Sequence, residues 1–141
     1  MSKAEYYAGF FDGEGSIGIY RNGSGVWYLR TQLTQNVGPA ARALLVELRG
    51  LYGGNLSLLQ EGLVRKRAAF NWQLNSATAA AFLRELRPFL RLRAEQADVA
   101  MAWHEVAQQP RRGADGRMLP YERNRAVDIA AAQRLKALKK G

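Results

Sequence analysis

The segment YAGFFDGEG, residues 7–15, lies near the N-terminus and carries two glycines in a helical context. Residues 3–14 have the pattern of a helix, so Gly9 and Gly13, four residues apart, share one helix face. Glycine inside a helix costs about 1 kcal/mol relative to alanine. Two such glycines on one face indicate that the backbone of a second helix packs closely there.

The same segment ends with two acids, Asp12 and Glu14. They fall at the C-terminal end of the predicted helix, where the negative end of the helix dipole disfavours carboxylates. A hard cation bound at this end would relieve that repulsion. The alternative is that both acids are ordinary solvated residues at a helix end.

Beyond this segment, strand and helix patterns alternate along the chain. Period-two alternation predicts strands, and clusters of Gly, Pro and Asn mark their ends. The predicted elements are strands over 15–22 and 26–35, a helix from Gly38-Pro39 to Gly53-Gly54, strands over 55–60 and 64–75, and helices over 76–87, 92–108 and 121–139. This order indicates an α+β fold in which helices cover one face of a four-stranded antiparallel sheet.

The opposite face of that sheet is left to bind a partner. Its side chains are rich in arginine and amides, which can read base edges in the major groove of DNA. With Asn22 from the first turn, the predicted DNA-contacting residues are Tyr20, Asn22, Tyr28, Arg30, Gln32, Arg65, Arg67, Asn71 and Gln73. The alternative is an ordinary solvated sheet face, although no acid occurs in this set.

Composition supports a polyanionic partner. The 141 residues, enough for one domain, carry 21 basic and 12 acidic side chains, a net charge of +9 and a pI of about 10.4. Nine of the basic residues and three of the acids fall in residues 110–141, a predicted basic loop and helix. The alternative is a basic protein kept in solution by its charge.

Composition also limits the chemistry. The chain has no cysteine and one histidine, His104, which excludes thiolate sites and a multi-histidine metal site within one chain. Oxygen ligands remain, and they favour a hard ion such as Mg²⁺. We expect a soluble, intracellular protein without a membrane role, since neither a signal peptide nor an apolar run of about 20 residues occurs.

Residues 7–15 resemble the defining nine-residue motif of the LAGLIDADG homing endonucleases, and Ser16-Ile17 continue it. The departures are Tyr7 for the first leucine, aromatic residues at apolar positions, and Glu14 as the last acid. The first two of these departures keep the apolar character of the motif. Glutamate at the last acidic position also occurs in the family.

The likeness extends beyond the motif to roughly residues 5–105. Leu33-Thr34-Gln35, and residues 88–93 followed by Gln96-Ala97, resemble the corresponding parts of the single-motif branch. The family fold is α-β-β-α-β-β-α with a saddle-shaped four-stranded antiparallel sheet. The tail beyond Pro110 is not placed by the resemblance.

One motif copy implies a homodimer with two-fold symmetry and a near-palindromic DNA target. The motif helices of the two subunits would cross closely at the glycines. The expected dimer interface comprises Tyr7, Ala8, Gly9, Phe10, Asp12 and Gly13.

The resemblance also implies roles for single residues. Glu14 is expected to bind the metal directly, one from each subunit, with the backbone carbonyl of Gly13. Gln35 corresponds to a residue that organises water, and Arg93 to a position usually held by lysine that stabilises charge near the phosphate. Arginine can supply charge but stays protonated, so it cannot act as a base. Supporting positions are Asp12, Arg42 and Arg91.

The implied activity is site-specific, Mg²⁺-dependent hydrolysis of double-stranded DNA by an intron-encoded enzyme. Mn²⁺ is expected to substitute, and Ca²⁺ to bind without supporting cleavage. The alternatives are an RNA-splicing maturase, for which RNA becomes a partner, and a non-cleaving DNA-binding protein of the same fold.

Overall fold

The computed structural model describes residues 2–59, 68–108, 114–117 and 125–140. Arg65 and Arg67, predicted to contact DNA, therefore lie outside the described residues. The elements are α1 (Lys3–Glu14), β1 (Gly15–Arg21), β2 (Trp27–Asn36), α2 (Pro39–Tyr52), β3 (Asn55–Leu59), β4 (Ala69–Asn75), α3 (Ser76–Leu86), a 3₁₀ turn (Arg87–Phe89), α4 (Ala94–Gln108) and α5 (Ala126–Lys140).

The four strands form one antiparallel sheet in the order β1-β2-β4-β3, which confirms the predicted α+β class. Gly15 and Trp72 both pair with Leu33 of β2, on opposite sides of that strand. Alternate residues of β2, namely Leu29, Thr31 and Leu33, are buried under the helices, as period-two patterning requires. The opposite face carries the polar residues of the same strands.

Helix α1 begins with a capping box, in which Ser2 and Glu5 exchange side-chain and backbone hydrogen bonds. Its inner face buries Tyr7, Ala8 and Phe11, and the Phe11 ring meets Phe82 of α3 edge-on at 5.4 Å between centroids. Burying a side chain of this size stabilises the fold by about 1.5–3 kcal/mol. The helix gives way to β1 at Gly15, where any Cβ would collide with the Phe11 ring.

The C-terminal helix α5 packs antiparallel on α4 and across β1. The Trp103 indole N–H donates to Asp128 Oδ1 at 2.9 Å, and Arg125 forms a two-pronged ion pair with the same buried carboxylate. Ala132 and Leu135, on the inner face of α5, are buried and belong to the hydrophobic core. Among the described residues, no helix is long and apolar enough to cross a membrane.

Candidate active site

The C-terminal end of α1 is joined to the chain before α4 by reciprocal hydrogen bonds. Asp12 accepts from the backbone N–H of Arg91 through Oδ2 at 2.8 Å and from that of Arg93 through Oδ1 at 3.0 Å. In return, Arg93 Nε donates to the carbonyl oxygen of Phe11 at 3.1 Å. Both Asp12 oxygens are therefore engaged by this turn.

Glu14 is the last residue of α1 and lies on its exposed side. Within the described part of the chain, its carboxylate forms no hydrogen bond and no ion pair, in contrast to Asp12 two residues earlier. The last carbonyl groups of a helix also lack intrahelical partners, and that of Gly13, the residue before Glu14, is one of them. The combination offers oxygen donors of the type that hard cations prefer.

Gln35 and Arg42 belong to the same end of the sheet. Gly15 pairs with Leu33, so Gln35, two residues further along β2 on the same face, lies about 7 Å beyond that pair. Its Nε2 donates to the Thr34 carbonyl at 3.0 Å. Arg42 is exposed in the first turn of α2, which starts just after β2 ends. Within the described residues, no hydrogen bond or ion pair joins either side chain to Glu14.

The exposed face of α1 is apolar and carries both large aromatic side chains and glycines. Tyr6 is 50% exposed and Phe10 is partly exposed. On the same face, Gly9 and Gly13 have no side chains, so the helix backbone itself is accessible there. A Cβ at either glycine would meet no atom within 4 Å in the described structure, so packing within the chain does not require glycine there. A groove of about 360 Å³ beside Gly9 is walled by the Pro88–Arg91 turn.

Two of the residues predicted at the dimer interface lie on the other face of α1. Tyr7 is 3% and Ala8 0% exposed, so both belong to the core of their own chain, which corrects the prediction. The Tyr7 hydroxyl donates to a Glu47 carboxylate oxygen, and burial together with that bond raises the Tyr7 pKa to about 12. Gly9, Phe10 and Gly13 remain accessible, and Asp12 is partly exposed.

On the polar face of the sheet, Arg30 lies between two aromatic rings. Its guanidinium carbon is 5.6 Å from the ring centroid of Tyr20 and 5.2 Å from that of Tyr28, distances typical of cation–π contacts. Arg30 Nε also donates to Asn75 Oδ1 at 3.1 Å. These contacts hold the guanidinium in place on the face predicted to bind DNA. Asn75 is a further residue of this face that no local sequence pattern indicates, because its link to Arg30 spans 45 residues.

The centre of this face is a set of cross-strand hydrogen bonds between β2 and β4. Gln73 Nε2 donates to Gln32 Oε1 at 3.2 Å, and Thr34 Oγ1 donates to Asn71 Oδ1 at 2.8 Å. Gln32 and Gln73 are partly exposed, whereas Asn71 is only 4% exposed. The prediction that Asn71 contacts DNA is therefore corrected: its side chain supports Thr34, which is more accessible.

Asn22 holds the turn between β1 and β2. Its Oδ1 accepts from the backbone N–H of Ser24 at 2.9 Å and of Val26 at 3.0 Å. The carbonyl half of this exposed side chain is therefore committed to the turn, and only its amide nitrogen is left to meet a partner.

Comparison with known proteins gives a structural likeness without a sequence match. No protein-family model matches the chain, and no curated protein matches its sequence. Two crystal structures of the homing endonuclease I-CvuI, in complex with its own target and with the I-CreI target, superpose with TM-scores of 0.70 and 0.71. Identity is 16% and 17%, over 99% of this chain and 83% of theirs.

The LAGLIDADG homing endonuclease I-SmaMI, bound to cleaved DNA, matches with a TM-score of 0.59 and 15% identity. The match covers 99% of this chain and 43% of the I-SmaMI chain, so this chain spans less than half of that protein's length. The chain described above thus has the fold of the LAGLIDADG homing endonucleases, as the sequence motif implied.

Proposed function

We propose that this chain is a LAGLIDADG homing endonuclease, a site-specific enzyme that hydrolyses both strands of DNA as a homodimer. The observation that carries the proposal is the pairing of two features on α1. An uncommitted carboxylate, Glu14, ends a helix whose exposed face carries two glycines that its own chain does not explain. The I-CvuI and I-SmaMI structures of the same fold, which are complexes with DNA, support this reading.

A second copy of α1 accounts for both features. Crossing two helices at Gly9 and Gly13 allows close backbone approach, and the exposed Tyr6 and Phe10 rings then bury against the partner. With the two-fold axis running along the paired helices, the two Glu14 carboxylates come to the same end of the pair. In this arrangement each chain supplies one Glu14 to a shared site. Among the described residues of one chain, no group of three His, Asp or Glu side chains lies together.

The oxygen donors at this helix end suit Mg²⁺, with Mn²⁺ as a substitute and Ca²⁺ as an ion that binds without supporting cleavage. Glu14 from each subunit would hold the ion, with the Gly13 carbonyl beside it. When bound, the ion supplies positive charge at the phosphate and lowers the pKa of a bound water.

The remaining site residues position one another and supply positive charge to the phosphate. Asp12 fixes the turn that carries Arg91 and Arg93 through its two backbone hydrogen bonds. Arg93 then offers its remaining guanidinium N–H groups to a phosphate, and it supplies charge without accepting a proton. Gln35 lies at the same sheet end, where its amide can orient water, and Arg42 adds a further cation there.

The polar sheet face provides target recognition. Arg30, Gln32 and Gln73 are held by neighbouring side chains, so little rotamer entropy remains to be lost when they meet base edges. Arginine paired with guanine and glutamine paired with adenine discriminate bases by about 1–3 kcal/mol each.

The decisive experiment is Glu14→Gln, assayed on a target enriched from a randomised duplex pool by binding in Ca²⁺. We expect the wild type to linearise a plasmid carrying that target in Mg²⁺, and the variant to bind the target equally well without cutting it. Glu105→Gln, which alters an exposed acid of α4, serves as the matched control and should cut normally.

Cutting by Glu14→Gln at the wild-type rate would refute the site. A wild-type chain that binds the target tightly but leaves the plasmid intact would indicate a non-cleaving DNA-binding protein instead. Preferred binding of a folded intron RNA over the duplex would indicate a maturase.

A further inference from the structure

A cavity of about 510 Å³ opens at the end of the sheet where β2 begins and β4 ends, and α4 covers one side of it. Its apolar walls come from Trp27, Leu29 and Trp103. Trp103 is only 7% exposed and its indole N–H donates to Asp128, so this wall is fixed in the folded chain. Cavities of roughly 300–1,000 Å³ with apolar and aromatic walls are typical of small-molecule sites.

Two asparagines supply the cavity with hydrogen-bond donors. Asn22 and Asn75 both line it, and each has its side-chain oxygen committed elsewhere. Asn22 Oδ1 accepts from the β1–β2 turn, and Asn75 Oδ1 accepts from Arg30 Nε. Within the described residues their amide nitrogens have no hydrogen-bond partner, so both amide groups remain available as donors. A ligand here therefore needs acceptors, such as carbonyl oxygens or ring nitrogens.

His104 adds a neutral polar group to the same cavity. The residue is 8% exposed, and its Nε2 has no hydrogen-bond partner in the described structure. Buried polar atoms in native proteins are nearly always paired, so a bound molecule would gain a hydrogen bond here. Burial, and then Arg84, lower the pKa of His104, so the imidazole carries no charge at pH 7. A neutral ring is thereby favoured over an anion.

The cavity adjoins the polar face of the sheet. Tyr28 and Asn75 belong to its lining and also hold Arg30 on that face. A base displaced from a duplex on this face would therefore reach the cavity without crossing the core. Bases of any identity stack on aromatic side chains, because every base presents a π-face.

We propose that this cavity binds a single unpaired nucleobase. The ring lies against the indoles of Trp27 and Trp103, and its carbonyl or ring-nitrogen acceptors receive the amide N–H groups of Asn22 and Asn75. Two sources share this chemistry, namely a free nucleoside and a base displaced from the end of a bound duplex. The second source rests on the proposed function, whereas the first does not.

The first experiment titrates the ¹⁵N-labelled chain with adenosine, guanosine, cytidine and thymidine, and uses ribose as the ring-free control. The chain has three tryptophans, whose indole N–H signals in NMR spectra report separately on the cavity and on the core. We expect the signals of Trp27 and Trp103 to shift, with a Kd of roughly 0.1–1 mM. The signal of Trp72, which is 1% exposed and bonded to the Gly53 carbonyl, should stay in place.

The variants Asn22→Asp and Asn75→Asp test the donors while keeping the oxygens that hold the turn and Arg30. Each should bind nucleosides about 5- to 10-fold more weakly, because the ligand loses a donor. Asn55→Asp is the matched control, since Asn55 is exposed on β3 and does not line the cavity. It should bind nucleosides as the wild type does.

The variant Trp27→Ala tests the stacking wall, with the Trp103 signal as the readout. It should bind nucleosides about 5- to 100-fold more weakly through the loss of stacking. An unchanged Trp72 signal shows that the core of each variant is intact.

The second experiment identifies the source of the base. Duplex targets shortened one base pair at a time are compared with and without one unpaired nucleotide at the shortened end, by fluorescence anisotropy in Ca²⁺. If the base comes from DNA, one length should bind about 5- to 100-fold more tightly with the unpaired nucleotide, and Trp27→Ala should abolish that gain. If nucleosides shift the two indole signals and no such gain occurs, the ligand is a free nucleobase compound.

The inference is overturned if no nucleoside shifts either indole signal and no unpaired nucleotide strengthens binding. It is also overturned if ribose alone produces the shifts, or if both aspartate variants bind nucleosides as tightly as the wild type. Tight binding of the fully paired target in these cases leaves the proposed function standing. A wild type that binds no duplex refutes the proposed function, whereas the nucleoside titration still decides the role of the cavity.

Discussion

Asp12 and Glu14 are two residues apart at one helix end, yet their surroundings separate their roles. Asp12 accepts two backbone N–H groups from a turn 79 and 81 residues away in sequence. Glu14 points to solvent with no partner in the described structure. Charge-assisted bonds of the Asp12 type are roughly twice as strong as neutral ones, so Asp12 stabilises the junction and leaves Glu14 available for chemistry.

His104 gives a residue-level prediction about pH. The residue is 8% exposed and its Nε2 has no hydrogen-bond partner in the described structure; burial, and then the nearby Arg84, lower its pKa below 6.5. Well above pH 6.5 the imidazole is neutral in both states, so its burial carries no protonation penalty. As the pH falls from about 6.5 through the folded pKa, the unfolded chain binds a proton that the folded chain does not, and stability falls.

We therefore expect the melting temperature to decrease between pH 7.5 and pH 5, and His104→Met to flatten that decrease. Because His104 is the only histidine in the chain, the difference between the two curves isolates its contribution. Parallel curves for the variant and the wild type would contradict the prediction.

At the scale of elements, α1 has apolar side chains on both faces. Tyr7, Ala8 and Phe11 face the core, while Tyr6 and Phe10 face outward with the two glycines. A helix that is apolar all round is normally buried on all sides. The fold covers one face, and the other remains for the partner subunit proposed above.

The substitution Gly9→Ala should affect the stability of the single subunit and the association of two subunits in opposite directions. Since a Cβ at position 9 meets nothing within 4 Å, alanine should stabilise the isolated subunit by about 1 kcal/mol through helix propensity, or about 4 °C. The added methyl group should at the same time hinder the close crossing of two α1 helices. We expect a higher melting temperature under dilute conditions and a weaker dimer by sedimentation velocity.

Gly50→Ala on α2 is the control, because that glycine is likewise helical, exposed and free of close neighbours. It should stabilise the chain and leave the association constant unchanged. If the Gly9→Ala variant dimerises with the same association constant as the wild type, the two helices do not pack at these glycines.

At the scale of the whole molecule, the net charge of +9 is unevenly placed. The C-terminal helix brings its lysines toward the α1 end, and Arg30 lies on the polar face of the sheet. In a homodimer the total doubles to +18, from 2 × 9, and spreads over two symmetric halves. A long duplex that contacts the sheets of both subunits of the proposed homodimer fits this distribution.

Affinity for that duplex should depend strongly on salt. If the dimer neutralises roughly six to ten phosphates, affinity should fall by about 10³- to 10⁵-fold between 50 and 200 mM salt. Anisotropy titrations with the full target and with a single half-site check both charge and symmetry, since the half-site should bind far more weakly. A flat salt dependence, or equal affinity for half and full sites, would contradict the two-fold duplex complex.

Local patterns along the chain were sufficient for the elements and their order. The alternation in β2, the Gly38-Pro39 start of α2 and the Gly53-Gly54 end act over a few neighbouring residues, so the sequence predicts them directly. The residues of α1 also carry the resemblance to the LAGLIDADG motif, and the fold that this resemblance implies is the fold observed.

Long-range packing settled what those patterns left open. Periodicity did not indicate which face of α1 is inward, because both faces are apolar, and Tyr7 and Ala8 proved to belong to the core. The partners of Asp12, and the path of α5 toward Arg93, depend on elements far apart in sequence that meet only when the core forms. Glu14 could therefore be predicted from the sequence alone. The positions of the cationic side chains near it depend on contacts that exist only in the folded chain.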